Sequence, residues 1–219
     1  MDLLQTYSRH PFRVLGATPR HTREELVELQ SIAALFGDDE SAAQALATLL
    51  NPQDRLWAEM SWFPQTDARE VEGLLRAVMQ GGSTLSMSFA TDSFLAQFNE
   101  ARLVLATIPL ADASTFKEAL YTLAELADAL LPEQVRDEIN DDRAISGFPQ
   151  LKDTDEMRML VEDLLRETAV TLRDLRPAQL EGSRARELSA TLEKSVRQLG
   201  TSAYNSIFLE YAAEEIAIW

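Results

Sequence analysis

Apolar residues recur at helical spacing along the whole of this chain, and most such stretches open on a residue able to cap a helix. A striped helix must bury its apolar side against another element, so the pattern leaves assemblies of packed helices as the fold. Thr22 with Glu25 has the spacing of a capping box, opening a helix whose Leu26, Leu29, Ala33 and Phe36 share a face until Gly37 stops it. Ser41 with Gln44 opens a second, burying Ala42, Ala45, Leu46 and Leu49, and the two are expected to form a hairpin. Asn51-Pro52 then breaks the chain and restarts it with proline in a first turn, carrying Arg55, Leu56, Trp57 and Met60 towards Trp62-Phe63-Pro64.

Beyond Pro64 the spacing stays helical. Asp67 and Glu70 start a helix through Val71, Leu74, Leu75, Val78 and Met79 that Gly81-Gly82 ends, and 83–91 reads as a loop. Phe94, Phe98, Ala101, Leu105 and Ile108 stripe the next helix, and Phe116, Leu120, Leu123, Ala127 and Leu130 the one after. Pro109 lies between them, and the short connection predicts antiparallel packing. Pro132 begins a helix through Val135 and Ile139, polar enough to be expected on the surface, which ends near Gly147 and Pro149. Asp153 and Glu156 start a long helix striped by Met157, Leu160, Val161, Leu164, Leu165, Thr168, Leu172 and Leu175. After a polar connector around Gly182, Leu188 to Leu199 and Tyr204 to Trp219 predict two more helices, the last ending on an apolar face. No fixed period relates these segments. The expectation is an all-α chain: a helical hairpin module over residues 1–64, then an irregular multi-helix array or bundle over 65–219, with a sub-boundary placed near 147–153.

Charge and composition narrow the function. Twenty basic against 36 acidic residues give a net charge of −16, which repels phosphate backbones, and no Lys/Arg cluster offsets it. Direct nucleic-acid binding is not expected on that reading, and the charge permits a basic protein partner or, more remotely, imitation of a nucleic acid's charge. Apolar residues at 46% and charged residues at 26% place the chain among folded proteins. The absence of cysteine removes disulfides, thiolate nucleophiles and cysteine zinc sites. Tyr7, Arg9 and His10 interrupt any apolar signal core, and no stretch approaches the roughly 20 apolar residues of a membrane span, so a cytoplasmic protein without membrane contact is expected.

Few residues point to chemistry. The two histidines, His10 and His21, could join a carboxylate around a metal, but their plainer reading is as exposed loop residues or local caps. Asp38-Asp39-Glu40 and Asp141-Asp142 could hold a hard cation, yet they lack the spacing and turn glycine of a calcium loop. With Asp137-Glu138 and Glu214-Glu215 they read as solvated charge. No catalytic, cofactor-binding or metal-binding set is assigned. Trp57, Trp62 and Phe63 are the one aromatic concentration, either core at the seam between module and array or an exposed anchor for a protein partner. The Met157 to Leu175 stripe is read as core, with a groove for a partner helix as the alternative.

The segment from Tyr7 to Phe63 resembles a J-domain, the module by which co-chaperones stimulate DnaK-type ATPases. Pro11-Phe12-Arg13-Val14-Leu15-Gly16 matches the aromatic and Leu-Gly opening, Thr22-Arg23-Glu24-Glu25-Leu26 the capped start of the second helix, and Leu49-Leu50-Asn51-Pro52-Gln53-Asp54-Arg55 the Asp-Pro and Arg element ending the third. Trp62-Phe63 is similar to the aromatic pair that closes the module in a subset of bacterial J-like proteins. Where the family carries His-Pro-Asp this chain has Gly37-Asp38-Asp39-Glu40, and where the second helix is basic it has Glu24, Glu25 and Glu28 beside a single Arg23. His10-Pro11-Phe12 lies before that helix and lacks the aspartate, so it does not replace the motif. The resemblance implies a degenerate module that binds without triggering hydrolysis. A non-catalytic co-chaperone-like adaptor or regulatory subunit follows, touching a chaperone-type ATPase or a basic protein through Trp57, Trp62, Phe63 and Arg23. The alternatives are an acidic inhibitor or immunity-type protein that neutralises a basic toxin or nuclease, and last an enzyme with a carboxylate-held metal.

Overall fold

Residues 3–79, 91–105, 107, 113–174 and 190 are described by the computed structural model, and among them are ten α-helices and no strand. The chain is all-helical there, as its spacing predicts. The order is α1 (Leu3–Ser8), α2 (Pro11–Leu15), α3 (Arg23–Phe36), α4 (Asp39–Leu50), α5 (Pro52–Met60), α6 (Ala68–Met79), α7 (Phe94–Leu105), α8 (Ala113–Ala129), α9 (Pro132–Ser146) and α10 (Thr154–Asp174). None of the described helices is long and apolar enough to cross a membrane. The Gly81-Gly82 stop, Ile108, Leu175, Glu214-Glu215 and the two helices expected beyond Gly182 lie outside the described residues.

Helix starts follow the capping chemistry. The Glu25 amide donates to the Thr22 hydroxyl at 3.2 Å and the Thr22 amide to the Glu25 carboxylate at 2.8 Å, a complete capping box. The second arm of the hairpin starts earlier than Ser41 suggests. Asp38 is its N-cap, accepting from the Glu40 amide at 3.1 Å, and Ser41 sits inside the first turn and donates to the other Asp38 oxygen. Asn51 caps α5 with Pro52 at its first position. α2 and α9 both end on a left-handed glycine, Gly16 (φ 63°) and Gly147 (φ 72°).

Two apolar cores lie side by side. One gathers Tyr7, Phe12, Leu26, Leu49, Trp62 and Phe63 with Val71, Leu75, Leu103 and Phe148. The other gathers Leu56, Met60, Phe98, Phe116, Leu123, Val135, Met157 and Leu164. α5 and α7 separate them, and each feeds both: Ala58 and Leu56 point to different cores, as do Ala96 and Phe98. Packing is therefore continuous through residue 64, and Phe148 enters the first core from the region near 147–153. The α8 stripe is buried throughout, and on α10 Met157, Val161, Leu164, Leu165 and Thr168 are buried with Leu160 half-buried among them.

Two expectations fail, each for a steric or electrostatic reason. Phe36 is not part of the α3 core stripe but 89% exposed. It is the last residue of its helix, and the chain turns at Gly37. α9, expected on the surface because it is polar, buries Val135, Glu138, Ile139, Asp142, Arg143 and Ser146. Its polar groups have partners inside. Glu138 accepts from the Ser93 hydroxyl (2.7 Å) and from the Phe94 (3.0 Å) and Leu95 (3.2 Å) amides, so a side chain of one helix caps the positive end of another. Burial raises the Glu138 pKa, and these hydrogen bonds work against the rise.

Arg143 joins α5 to the segment that follows α9. It donates to Glu59 through Nε at 2.9 Å, with Nη2 at 2.7 Å, and to the Pro149 carbonyl at 2.8 Å. Arg55 holds the other Glu59 oxygen at 2.7 Å and reaches the Pro19 carbonyl at 2.8 Å, while its guanidinium lies 3.5 Å from the centre of the Phe148 ring. Removing the shared carboxylate leaves two buried guanidiniums without their anion. Glu59→Ala is expected to lower unfolding free energy by roughly 3–5 kcal/mol in urea titrations; a loss under about 1 kcal/mol would show that the bridge contributes no more than a surface pair.

Candidate functional site

The histidines occupy unrelated settings. His10 is buried in the first core, its ring stacked 4.3 Å from Trp62 and 5.8 Å from Phe12, with Nε2 3.3 Å from the Ser61 hydroxyl. Burial lowers its pKa to about 3, so it stands neutral in the folded protein. This corrects the reading of His10 as an exposed loop residue. His21 is a local cap, its Nδ1 accepting from the Thr18 amide at 3.0 Å. Among the described residues no group of three His, Cys, Asp or Glu side chains could hold a metal ion.

The carboxylate runs divide similarly. Asp38 is the α4 cap already described. Asp142 is not solvated but buried, 2.7 Å from Arg20 Nε and accepting from the Gln65 amide at 2.9 Å. Gln65 adopts a left-handed φ of 58°, and its side chain donates to Asp141 at 3.2 Å. Asp142 and Glu138 thus serve the packing of α9 rather than its solvation.

The four residues first considered for partner binding are not brought together on one surface. Trp62 and Phe63 are 2% and 0% exposed, and the Trp62 carbonyl accepts from the buried Asn99 amide. Trp57 is half-buried and packs on the second core. Arg23 is at the surface, its guanidinium 4.6 Å above Phe148. Aromatics that close a helical module face inward because only the core can take up their apolar area.

Among the described residues, large apolar side chains are exposed at Leu131, at Ile145 on α9, at Met159 on α10 and, in the greatest number, on α3. On α3 they are Val27 (46%) in its first half and Ile32 (52%), Leu35 (79%) and Phe36 (89%) towards its end, and Leu35 lies opposite buried Leu26. Glu24 and Glu28 stand on the same side one turn apart, and Asp38, Asp39 and Glu40 follow as the cap and first turn of α4, all of them exposed. From Glu24 to Asp54 the sequence holds no basic residue. The result is an apolar tip rimmed by carboxylates. Helical spacing alone places Phe36 with Leu26 and Ala33, but it is the last residue of α3 and is left exposed.

No protein-family model matches the chain, and no curated protein or solved structure is significantly similar to it.

The buried neutral His10 makes stability depend on pH. Its folded pKa lies below the ordinary 6.5, so between about pH 6.5 and about pH 3 the unfolded chain binds a proton there that the folded chain does not. Stability is expected to fall as pH drops through that window, with a His10 contribution of up to about 1.4 kcal/mol per pH unit. His10→Phe keeps an aromatic ring on Trp62 and should flatten the slope relative to the parent in melts from pH 7 to 4; parallel slopes would contradict the assignment.

Proposed function

We propose that this protein is a non-catalytic adaptor or regulatory subunit that binds another protein through the exposed end of α3. The observation that carries the reading is the tip itself: Leu35 and Phe36, neighbours in sequence, present large apolar surfaces to solvent. Contiguous exposed apolar surface rimmed by polar groups marks interaction sites, since a folded chain gains by covering it. The surrounding carboxylates select a basic partner and steer its approach.

The likeness to a J-domain supports the same reading. α3 and α4 pack together as a hairpin, and Arg55 of the Asn51-Pro52 element ties the hairpin's end to the Pro19 and Leu49 carbonyls. In a working J-domain the turn between those helices carries the triggering tripeptide; here Gly37, Asp38, Asp39 and Glu40 stand in it, and Asp38 is committed to capping. The proposed module docks without stimulating hydrolysis. The charge of the hairpin also agrees with an inhibitor that neutralises a basic protein, which differs in outcome but shares the surface.

Two measurements test this. Added to a DnaK-type chaperone, the protein is expected to leave ATP turnover unchanged; stimulation that is lost in His10→Gln or in Glu24, Glu25 and Glu28 variants would overturn the prediction. Leu35→Ser/Phe36→Ser should keep the parental melting temperature, because exposed substitutions change stability by no more than about 0.5 kcal/mol. It should lose a partner captured from the native cell by the parent, in a complex weakened by salt. A partner retained equally by parent and double variant would refute docking at the tip.

A further inference from the structure

α3 meets the first core with Leu26, Leu29 and Ala33, and its exposed residues follow a definite order along the helix axis. Glu24 and Glu28 come first, one turn apart. Ile32, Leu35 and Phe36, spaced i, i+3 and i+4 and so neighbours on the helix surface, come next. The Asp38-Asp39-Glu40 run lies beyond the last turn, as the cap and first turn of α4. The order is acidic, apolar, acidic, and all of these residues are exposed. Between Glu24 and Asp54 the chain carries seven carboxylates and no basic residue.

The secondary structure restricts what can cover this surface. A strand docks by pairing with a sheet edge, and there is no strand among the described residues. A polyproline segment docks between aromatic rings, and α3 and α4 together offer only that of Phe36. A helix needs neither. It packs on another helix by setting its ridge of side chains between the rows of the first, and it presents anchors at the same i, i+3, i+4 spacing as Ile32, Leu35 and Phe36. Carboxylates at both ends of the apolar patch then ask for positive charge at both ends of the helix that covers it.

We propose that the partner docks through a basic amphipathic helix with apolar residues at its centre and Lys or Arg at both ends, an inference that rests on the reading of this protein as an adaptor docking through α3. The apolar centre covers Ile32, Leu35 and Phe36. The bases at one end face Glu24 and Glu28, and those at the other face the Asp38-Asp39-Glu40 run. A helix with its bases gathered at one end leaves one of the two acidic groups unanswered, so the order of charge along the partner, and not its total alone, sets the affinity.

Fluorescence anisotropy of labelled synthetic peptides titrated with the whole protein tests it. The probe is a peptide of about 16 residues built from helix formers, with leucines at i, i+3, i+4 and i+7 in its middle and a pair of lysines at each end. It is expected to bind saturably, in the range of tens of micromolar or tighter at low salt. A peptide of the same composition with all its lysines at one end should bind about threefold more weakly, and one with two central prolines, which cannot form the helix, about tenfold more weakly. Leu35→Ser/Phe36→Ser should weaken the first peptide by about tenfold or more. Glu24→Gln/Glu28→Gln should weaken it at low salt and match the parent at about 1 M salt, where charges are screened beyond about 3 Å. Equal binding of the helical and proline peptides, equal binding of the two lysine orders, or no saturable binding of any peptide would each overturn the helix while leaving docking at α3 standing, provided the double serine variant still loses the partner captured from the native cell. Undiminished peptide binding by that variant would place the helix elsewhere and overturn the proposal outright.

Discussion

Glu59 holds two buried arginines at once, and much of the described structure depends on that arrangement. A carboxylate and two guanidiniums are tolerated away from water only when nearly every donor and acceptor is used. Here the condition is met by groups from distant parts of the chain: Pro19 before α3, Leu49 at the end of α4, Pro149 after α9, and the face of Phe148. Arg20 and Asp142 add a second, partly exposed bridge from the approach to α3 to the same helix. The first hairpin is thus anchored to α9, a hundred residues downstream, rather than carried as a separate appendage.

The same logic recurs where α5, α7 and α9 meet. The buried Asn99 amide donates to the carbonyls of Met60 and Trp62 at the end of α5, and the Tyr7 hydroxyl donates to the Asn99 carbonyl. Glu138 closes the start of α7 from a neighbouring helix. Helix ends have unpaired backbone groups, and in the interior a side chain from another element can satisfy them where water cannot reach. These polar contacts fix the order in which otherwise interchangeable apolar stripes are packed.

Local features were legible in the sequence and distant ones were not. The Thr22–Glu25 box, the Asn51-Pro52 restart, the α8 stripe and the Gly147 stop depend on residues a few positions apart, and each stands where the spacing put it. α9 was misplaced because its mean polarity is high, and whether an acidic or basic residue lies inside depends on a partner such as Glu59, 84 positions from Arg143. The burial of His10 under Trp62 was hidden for the same reason. Of the candidate site, Arg23 is at the surface, but Trp62 and Phe63 close the core, and Phe36 is exposed where α3 ends on it.

Anchoring the hairpin leaves the end of α3 as its free extremity, which is what a docking element needs: a rigid base and an uncovered tip. The claim on which this rests is that Glu59 and Arg143 act as one unit. A double-mutant cycle measures it directly, comparing unfolding free energies of the parent, Glu59→Gln, Arg143→Met and the pair. The account predicts a coupling energy of at least about 1.5 kcal/mol, the double variant being less damaged than the sum of the singles; effects that add to within about 0.5 kcal/mol would contradict it.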